Sequence, residues 1–111
     1  MFKIIENSDR IYKAQIDLKF VTTCGVTGKP FQGKISIIFK PNALYPEYCS
    51  LEEWIDTFKT KSLNHETVAR LVHDVTRSLL ACPVKVIVLA ESVIHPPALA
   101  IVADTEEERN L

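Results

Sequence analysis

Cys24 stands in the run Cys24-Gly25-Val26-Thr27-Gly28-Lys29-Pro30, where two glycines and a proline force the chain to turn. A loop cysteine has two readings, a small hydrophobe or a nucleophile. The other cysteines, Cys49 and Cys82, form no close pair with it, and His65, His73 and His95 are not at metal-ligand spacing from any of them. His65-Glu66 begins like a zinc-protease motif, but Ala69 stands where the second histidine is needed. No metal site is expected. An odd cysteine count without an export signal also argues against a disulfide framework. Glu66 complements a helix dipole or binds a ligand, and His65 is a structural group or a proton donor.

The elements that would position these residues follow from periodicity. Tyr12, Ala14, Ile16, Leu18 and Phe20 alternate with polar residues, the period of a half-buried strand. Beyond the Cys24 loop, Ile35, Ile37 and Phe39 form a second alternating set that ends at Pro41, so the pair reads as an antiparallel hairpin. Ser50 and Glu53 form a capping-box pattern ahead of a stripe at Leu51, Trp54, Ile55 and Phe58. Asn64 is the expected N-cap of a second helix with a stripe at Val68, Leu71, Val72, Val75 and Leu79. His65 shares the side of that stripe, and Pro83 marks the helix end. Val84, Val86, Val88 and Ala90 alternate again, His95-Pro96-Pro97 reads as a turn, and residues 98–103 form a last short strand. His73 has no comparable context. The order is ββααββ, an α+β class: a four-stranded antiparallel sheet with two helices on one face. Its unpaired edges invite oligomerisation. The glutamate-rich segment 104–111 is expected to be a flexible, solvated tail.

The Cys-x-x-Thr-Gly-x-Pro loop, the run Glu47-Tyr48-Cys49-Ser50-Leu51-Glu52-Glu53-Trp54 and the triplet Asn64-His65-Glu66 occur in this order within ββααββ. Together they resemble the tunnelling-fold (T-fold) family of 7-cyano-7-deazaguanine reductases, which serve the queuosine pathway, and their short QueF-like relatives. The likeness is best from about Thr22 to Leu80 and closest to the short branch, amidinotransferases of archaeosine formation on tRNA. The resemblance implies that Cys24 adds to a nitrile carbon as a covalent thioimide. It implies Glu66 as the anchor of the purine-like base, Glu47 as a second substrate contact and His65 as a catalytic proton donor. It also implies a ring-shaped homo-oligomer whose sheets join into a barrel, with neighbouring subunits completing the pocket.

Two departures shape the expectation. The reductase signature carries lysines for the phosphates of NADPH where this chain has Cys49 and Glu52, and a carboxylate there would repel phosphate. No cofactor is therefore expected. An aspartate that protonates the nitrile nitrogen normally follows the loop proline, but Phe31 stands here and cannot transfer a proton. Three readings result: amidine formation from a nitrile base, free or in a nucleic acid; NADPH-dependent reduction; and a non-catalytic purine- or pterin-binding module.

Composition limits the rest. The 111 residues suit a single domain, 1–111, with no room for a separate cofactor domain. Hydrophobic residues at 47% and charged residues at 24% fit a soluble globular protein rather than a disordered one. Thirteen basic residues against fourteen acidic ones supply no field to draw in nucleic acid or anionic lipid. No apolar run reaches the roughly 18–20 residues that span a bilayer, and the start MFKIIENSDR lacks the core of an export signal. A cytoplasmic location without membrane association is the expectation.

Overall fold

Alternating apolar residues dominate the strands, and a sheet made from them must bury one face. The computed structural model describes residues 1–91 and 96–111, so the turn expected at His95 lies outside the described residues. In chain order the elements are β1 (Ile4–Glu6), β2 (Ala14–Thr23), β3 (Pro30–Phe39), β4 (Leu44–Pro46), α1 (Tyr48–Asp56), α2 (His65–Leu80), β5 (Val84–Glu91), β6 (Ala98–Val102) and α3 (Glu106–Arg109). A 3-10 turn at Thr57–Thr60 lies between α1 and α2.

The main sheet has the order β2-β3-β5-β6, antiparallel throughout. Leu18 and Phe20 of β2, Ile35, Ile37 and Phe39 of β3, and Val84, Val86 and Val88 of β5 are buried on one face. Leu51, Trp54 and Ile55 of α1, Phe58, and Val68, Ala69, Val72 and Leu80 of α2 cover them. Each such side chain contributes roughly 1.5–3 kcal/mol by leaving water. The other face stays open, with Val21, Leu99 and Ile101 exposed. The expected α+β architecture is therefore present: four antiparallel strands with two helices on one face.

β3 and β5 approach unusually closely at Gly33. A Cβ at this position would lie 2.0 Å from the Leu89 carbonyl oxygen and 2.8 Å from Phe20 Cε1, so only glycine lets Phe20 seat beneath the pair.

Several local expectations are corrected. The capping box at Ser50 is not the start of α1; Glu47 is the N-cap, its carboxylate accepting from the Ser50 N–H. Ser50 instead donates its hydroxyl to the Glu47 carbonyl and accepts from the Lys3 N–H at 2.9 Å. Asn64 does cap α2, accepting from the Thr67 N–H at 2.8 Å. The stripe of α2 is turned from the expected one: Ala69, His73 and Thr76 are buried, while Leu71, Val75 and Leu79 are only partly covered. β1 and β4 pair as a separate two-stranded sheet that alternation did not reveal, because all three β1 residues are exposed.

The expected flexible tail is instead docked. Glu108 of α3 is buried, and its carboxylate accepts from the N–H groups of Val84 and Asp104, each at 2.9 Å. His73 Nε2 lies 2.9 Å from the same carboxylate, and His73 Nδ1 lies 2.9 Å from Asp74. Arg70 pairs with Asp104 at 2.8 Å. Burial disfavours charge on Glu108, but the two backbone N–H groups and His73 outweigh it and hold the carboxyl below its usual range. One glutamate among three thus turns a solvated segment into a clasp. His73, Asp104 and Glu108 offer ligand atoms within 4.8 Å of one another, but His73, the two N–H groups and Arg70 already engage them.

Candidate active site

The loop between β2 and β3 is a closed turn. The Cys24 N–H donates to the Lys29 carbonyl at 2.8 Å, and the Gly28 N–H donates to the Cys24 carbonyl at 2.9 Å. Gly28 has φ 70°, a left-handed conformation that glycine adopts without steric cost. The Thr27 hydroxyl, then the N–H groups of Thr27 and Val26, hold the Cys24 thiol below the ordinary thiol range. A lowered thiol in a tight turn is what a nucleophilic role for Cys24 would require.

A second segment comes alongside from far along the chain. Thr23 bridges Ser62 as a short parallel pair, and its N–H donates to the Lys61 carbonyl at 3.1 Å. The Thr22 side chain is wholly buried; its hydroxyl donates to the Lys61 carbonyl at 2.8 Å and accepts from the Leu63 N–H at 3.2 Å. These bonds bring the start of α2 against the Cys24 turn. The result is a cavity of about 640 Å³ lined by both Cys24 and His65, with Val26, Phe31, Leu63 and Ala98 among its apolar wall. This volume lies in the range of small-molecule sites.

Phe31 is partly buried in that wall and packs edge-on against Phe20, ring centroids 6.1 Å apart. An apolar ring thus lines the same cavity as Cys24. Lys29, His65 and Glu91 are the ionisable residues that line the cavity with Cys24 among the described residues. The lining from Ser62, Ala90, Glu91, Pro96 and Ala98 was not legible in the sequence: strand register brings in Ala90, Glu91 and Ala98, and the Thr23 bridge brings in Ser62.

The two candidate substrate carboxylates are placed differently. Glu66 follows His65 in the first turn of α2, its Oε1 3.5 Å from His65 Nε2, yet its side chain is 70% exposed. It lines a separate, shallow depression with Arg70 and Ile101 between α2 and β6, not the cavity of Cys24. Glu47 lines neither depression, and its carboxylate is engaged in capping α1. The Ser50 N–H, then the Ser50 hydroxyl, hold it below the usual carboxylate range. The fold therefore brings Cys24 and His65 together but leaves Glu66 and Glu47 outside their cavity.

No family model matches the chain. A stretch of 69 residues, 61% of the chain, is 36% identical to the NADPH-dependent 7-cyano-7-deazaguanine reductase of Prochlorococcus marinus strain MIT 9215. The same enzyme of strain MIT 9301 matches at 36%, and that of strain MIT 9312 at 35%. The match spans about half the length of these relatives, 51% of each. Among solved structures, the crystal structure of the archaeosine synthase QueF-Like in the apo form superposes with a TM-score of 0.75. It covers 86% of this chain and 97% of that one at 13% identity, a likeness of fold. The resemblance read from the motifs thus holds: the chain is related in sequence to the 7-cyano-7-deazaguanine reductases and has the tunnelling fold of the QueF-Like synthase.

Proposed function

We propose that the chain is an enzyme that acts on the nitrile of a 7-cyano-7-deazaguanine base, free or within a nucleic acid, and converts it to an amidine with ammonia. The observation that carries this reading is the shared cavity of Cys24 and His65, with the thiol held toward thiolate by the Thr27 and Val26 donors. The thiolate adds to the nitrile carbon, forming a C–S bond and reducing the triple C–N bond to a double one; a proton then goes to the nitrogen. His65 supplies it, since Phe31 has none to give. Ammonia adds to the thioimide carbon, the C–S bond breaks, the thiolate departs, and the excess proton passes back to the base.

The relatives' name specifies NADPH, but α1 does not suit that cofactor. It contains no Lys or Arg, and Cys49 and Glu52 are exposed where the reductase signature has lysines. Their side chains would leave the phosphates without a cation. Glu66, exposed beside β6, anchors the base in this reading only if a second copy brings its own Cys24 cavity to that face. The free edges of β2 and β6 are consistent with such an oligomer. Among the described residues no helix is long and apolar enough to cross a membrane.

Intact-mass spectrometry with 7-cyano-7-deazaguanine tests the reading. A covalent adduct is expected on the wild type and none on Cys24→Ala; no adduct on the wild type under any condition would overturn it. Phe31 in the cavity wall favours one other reading, a purine- or pterin-binding module without turnover. Base binding that survives Cys24→Ala, is lost in Glu66→Ala and never yields an adduct would establish that alternative.

A further inference from the structure

Thr22 occupies a slot that alternation assigns to the core. Leu18 and Phe20 precede it on the same face of β2, and like them it is buried. A hydroxyl in that position costs stability unless both its hydrogen and its lone pairs are used. Here they are, and on one segment: the Lys61 carbonyl accepts at 2.8 Å and the Leu63 N–H donates at 3.2 Å. Both backbone groups lie in the irregular connection before α2; the Lys61 carbonyl also accepts from the Thr23 N–H, while the Leu63 N–H has the Thr22 hydroxyl as its partner. The spacing along the chain is matched on the two sides. Thr22 stands two residues before Cys24, and Leu63 two residues before His65. The hydroxyl therefore joins two segments some forty residues apart, each two residues along the chain from a side chain that lines the cavity. Gly25 reinforces the approach, since a Cβ there would come 3.2 Å from Ser62 Oγ.

We propose that Thr22 is a positioning residue of the site: its buried hydroxyl locks the Cys24 turn to the first residues of α2, so that Cys24 and His65 open into one cavity. The inference rests on the reading of Cys24 and His65 as one reactive pair, and it says why a polar residue occupies this core position. Thr22 is not among the residues that line the cavity; it acts through the two segments it joins.

The test compares Thr22→Val, which keeps the shape and deletes the hydroxyl, with Thr22→Ser, which keeps the hydroxyl. Two readouts need no nitrile. Amide hydrogen exchange at Leu63 is expected to rise about tenfold or more in Thr22→Val, the effect of one or two lost hydrogen bonds, and to stay near wild type in Thr22→Ser. Alkylation of Cys24 with an N-aryl haloacetamide is expected to shift the His65 ring resonances in wild type and Thr22→Ser but not in Thr22→Val. The third readout is the rate of adduct formation with 7-cyano-7-deazaguanine, expected to fall about tenfold in Thr22→Val and to recover in Thr22→Ser. Unchanged exchange and unchanged His65 coupling in Thr22→Val would overturn the proposal, as would equal losses in both variants, which would assign the position to shape. If the wild type forms no adduct, the nitrile reading fails while exchange and His65 coupling still decide the role of Thr22.

Discussion

At the residue scale, the Cys24 thiol is held below the ordinary range by three donors within its own turn: the Thr27 hydroxyl and the N–H groups of Thr27 and Val26. Cys82 shows the opposite environment, since burial, with the Glu108 charge as a smaller effect, pushes its thiol up to about 11. The two thiols should separate in a pH-rate profile of alkylation under native conditions. Cys24 should react with a midpoint below the ordinary thiol value of 9.0, and Thr27→Val should move that midpoint upward by removing the leading donor. A midpoint unchanged in Thr27→Val would assign the shift to the backbone alone. Cys24 and its turn were legible in the sequence because the glycines and proline that bend the chain lie beside the cysteine, whereas Thr27 as a donor was not. Nor was the role of Glu47. The capping-box pattern places the cap at Ser50, and only the start of α1 at Tyr48 shows Glu47 to be the N-cap.

At the element scale, strand alternation predicted β2, β3 and β5 well because each buries one face against the helices. It missed β1 and β4, whose stability comes from pairing with each other rather than from an apolar face. It also stopped short at the site end of the hairpin. Pro30 through Gly33 are strand rather than loop, so Phe31 belongs to the sheet that walls the cavity. Gly33 makes that extension possible. Gly33→Ala should destabilise the fold by about 2–3 kcal/mol or more, because the new methyl meets the backbone oxygen of Leu89, which has no rotamer to yield. Chemical denaturation measures this directly. Adduct formation at Cys24 should fall with it, since the same strand end carries the cavity wall.

At the scale of the whole molecule, the dimensions of 44 × 28 × 18 Å describe a slab whose thin axis holds one sheet and one helical layer. Among the described residues such a slab leaves one sheet face open and, beyond the Thr23–Ser62 bridge, the outer edges of β2 and β6 without a strand partner, which is the physical case for assembly of copies in the proposed function. The C-terminal clasp closes the other end of the slab, where Glu108 joins α2, the start of β5 and the Asp104 turn. Glu108→Gln should cost about 3 kcal/mol at neutral pH, because His73 and two N–H groups lose a buried charge. The sign of the pH dependence follows from the lowered carboxyl. Its stabilisation is complete above the ordinary value of 4.5 and is lost as pH falls through the lower folded value. The stability gap between wild type and Glu108→Gln should therefore be flat at neutral pH and close in acid. A gap that persisted in acid would assign the effect to packing.

The sequence by itself determined the α+β class, the order of the four main strands and two helices, the Cys24 turn, the Asn64 cap and the likeness to a nitrile-handling family. Each is written in residues within a few positions of one another: period two, period 3.6, a turn, a cap. Only the tertiary structure decided that His65 joins Cys24 while Glu66 faces away, that Phe31 lines the cavity, and that the acidic tail docks through Glu108. These outcomes depend on bonds between residues 35 to 41 positions apart, such as His73 with Glu108 and Thr22 with Lys61 and Leu63. A buried hydroxyl or carboxylate selects such partners by geometry. Local pattern cannot encode that choice, because the partners share neither a strand, a helix turn nor a loop with it.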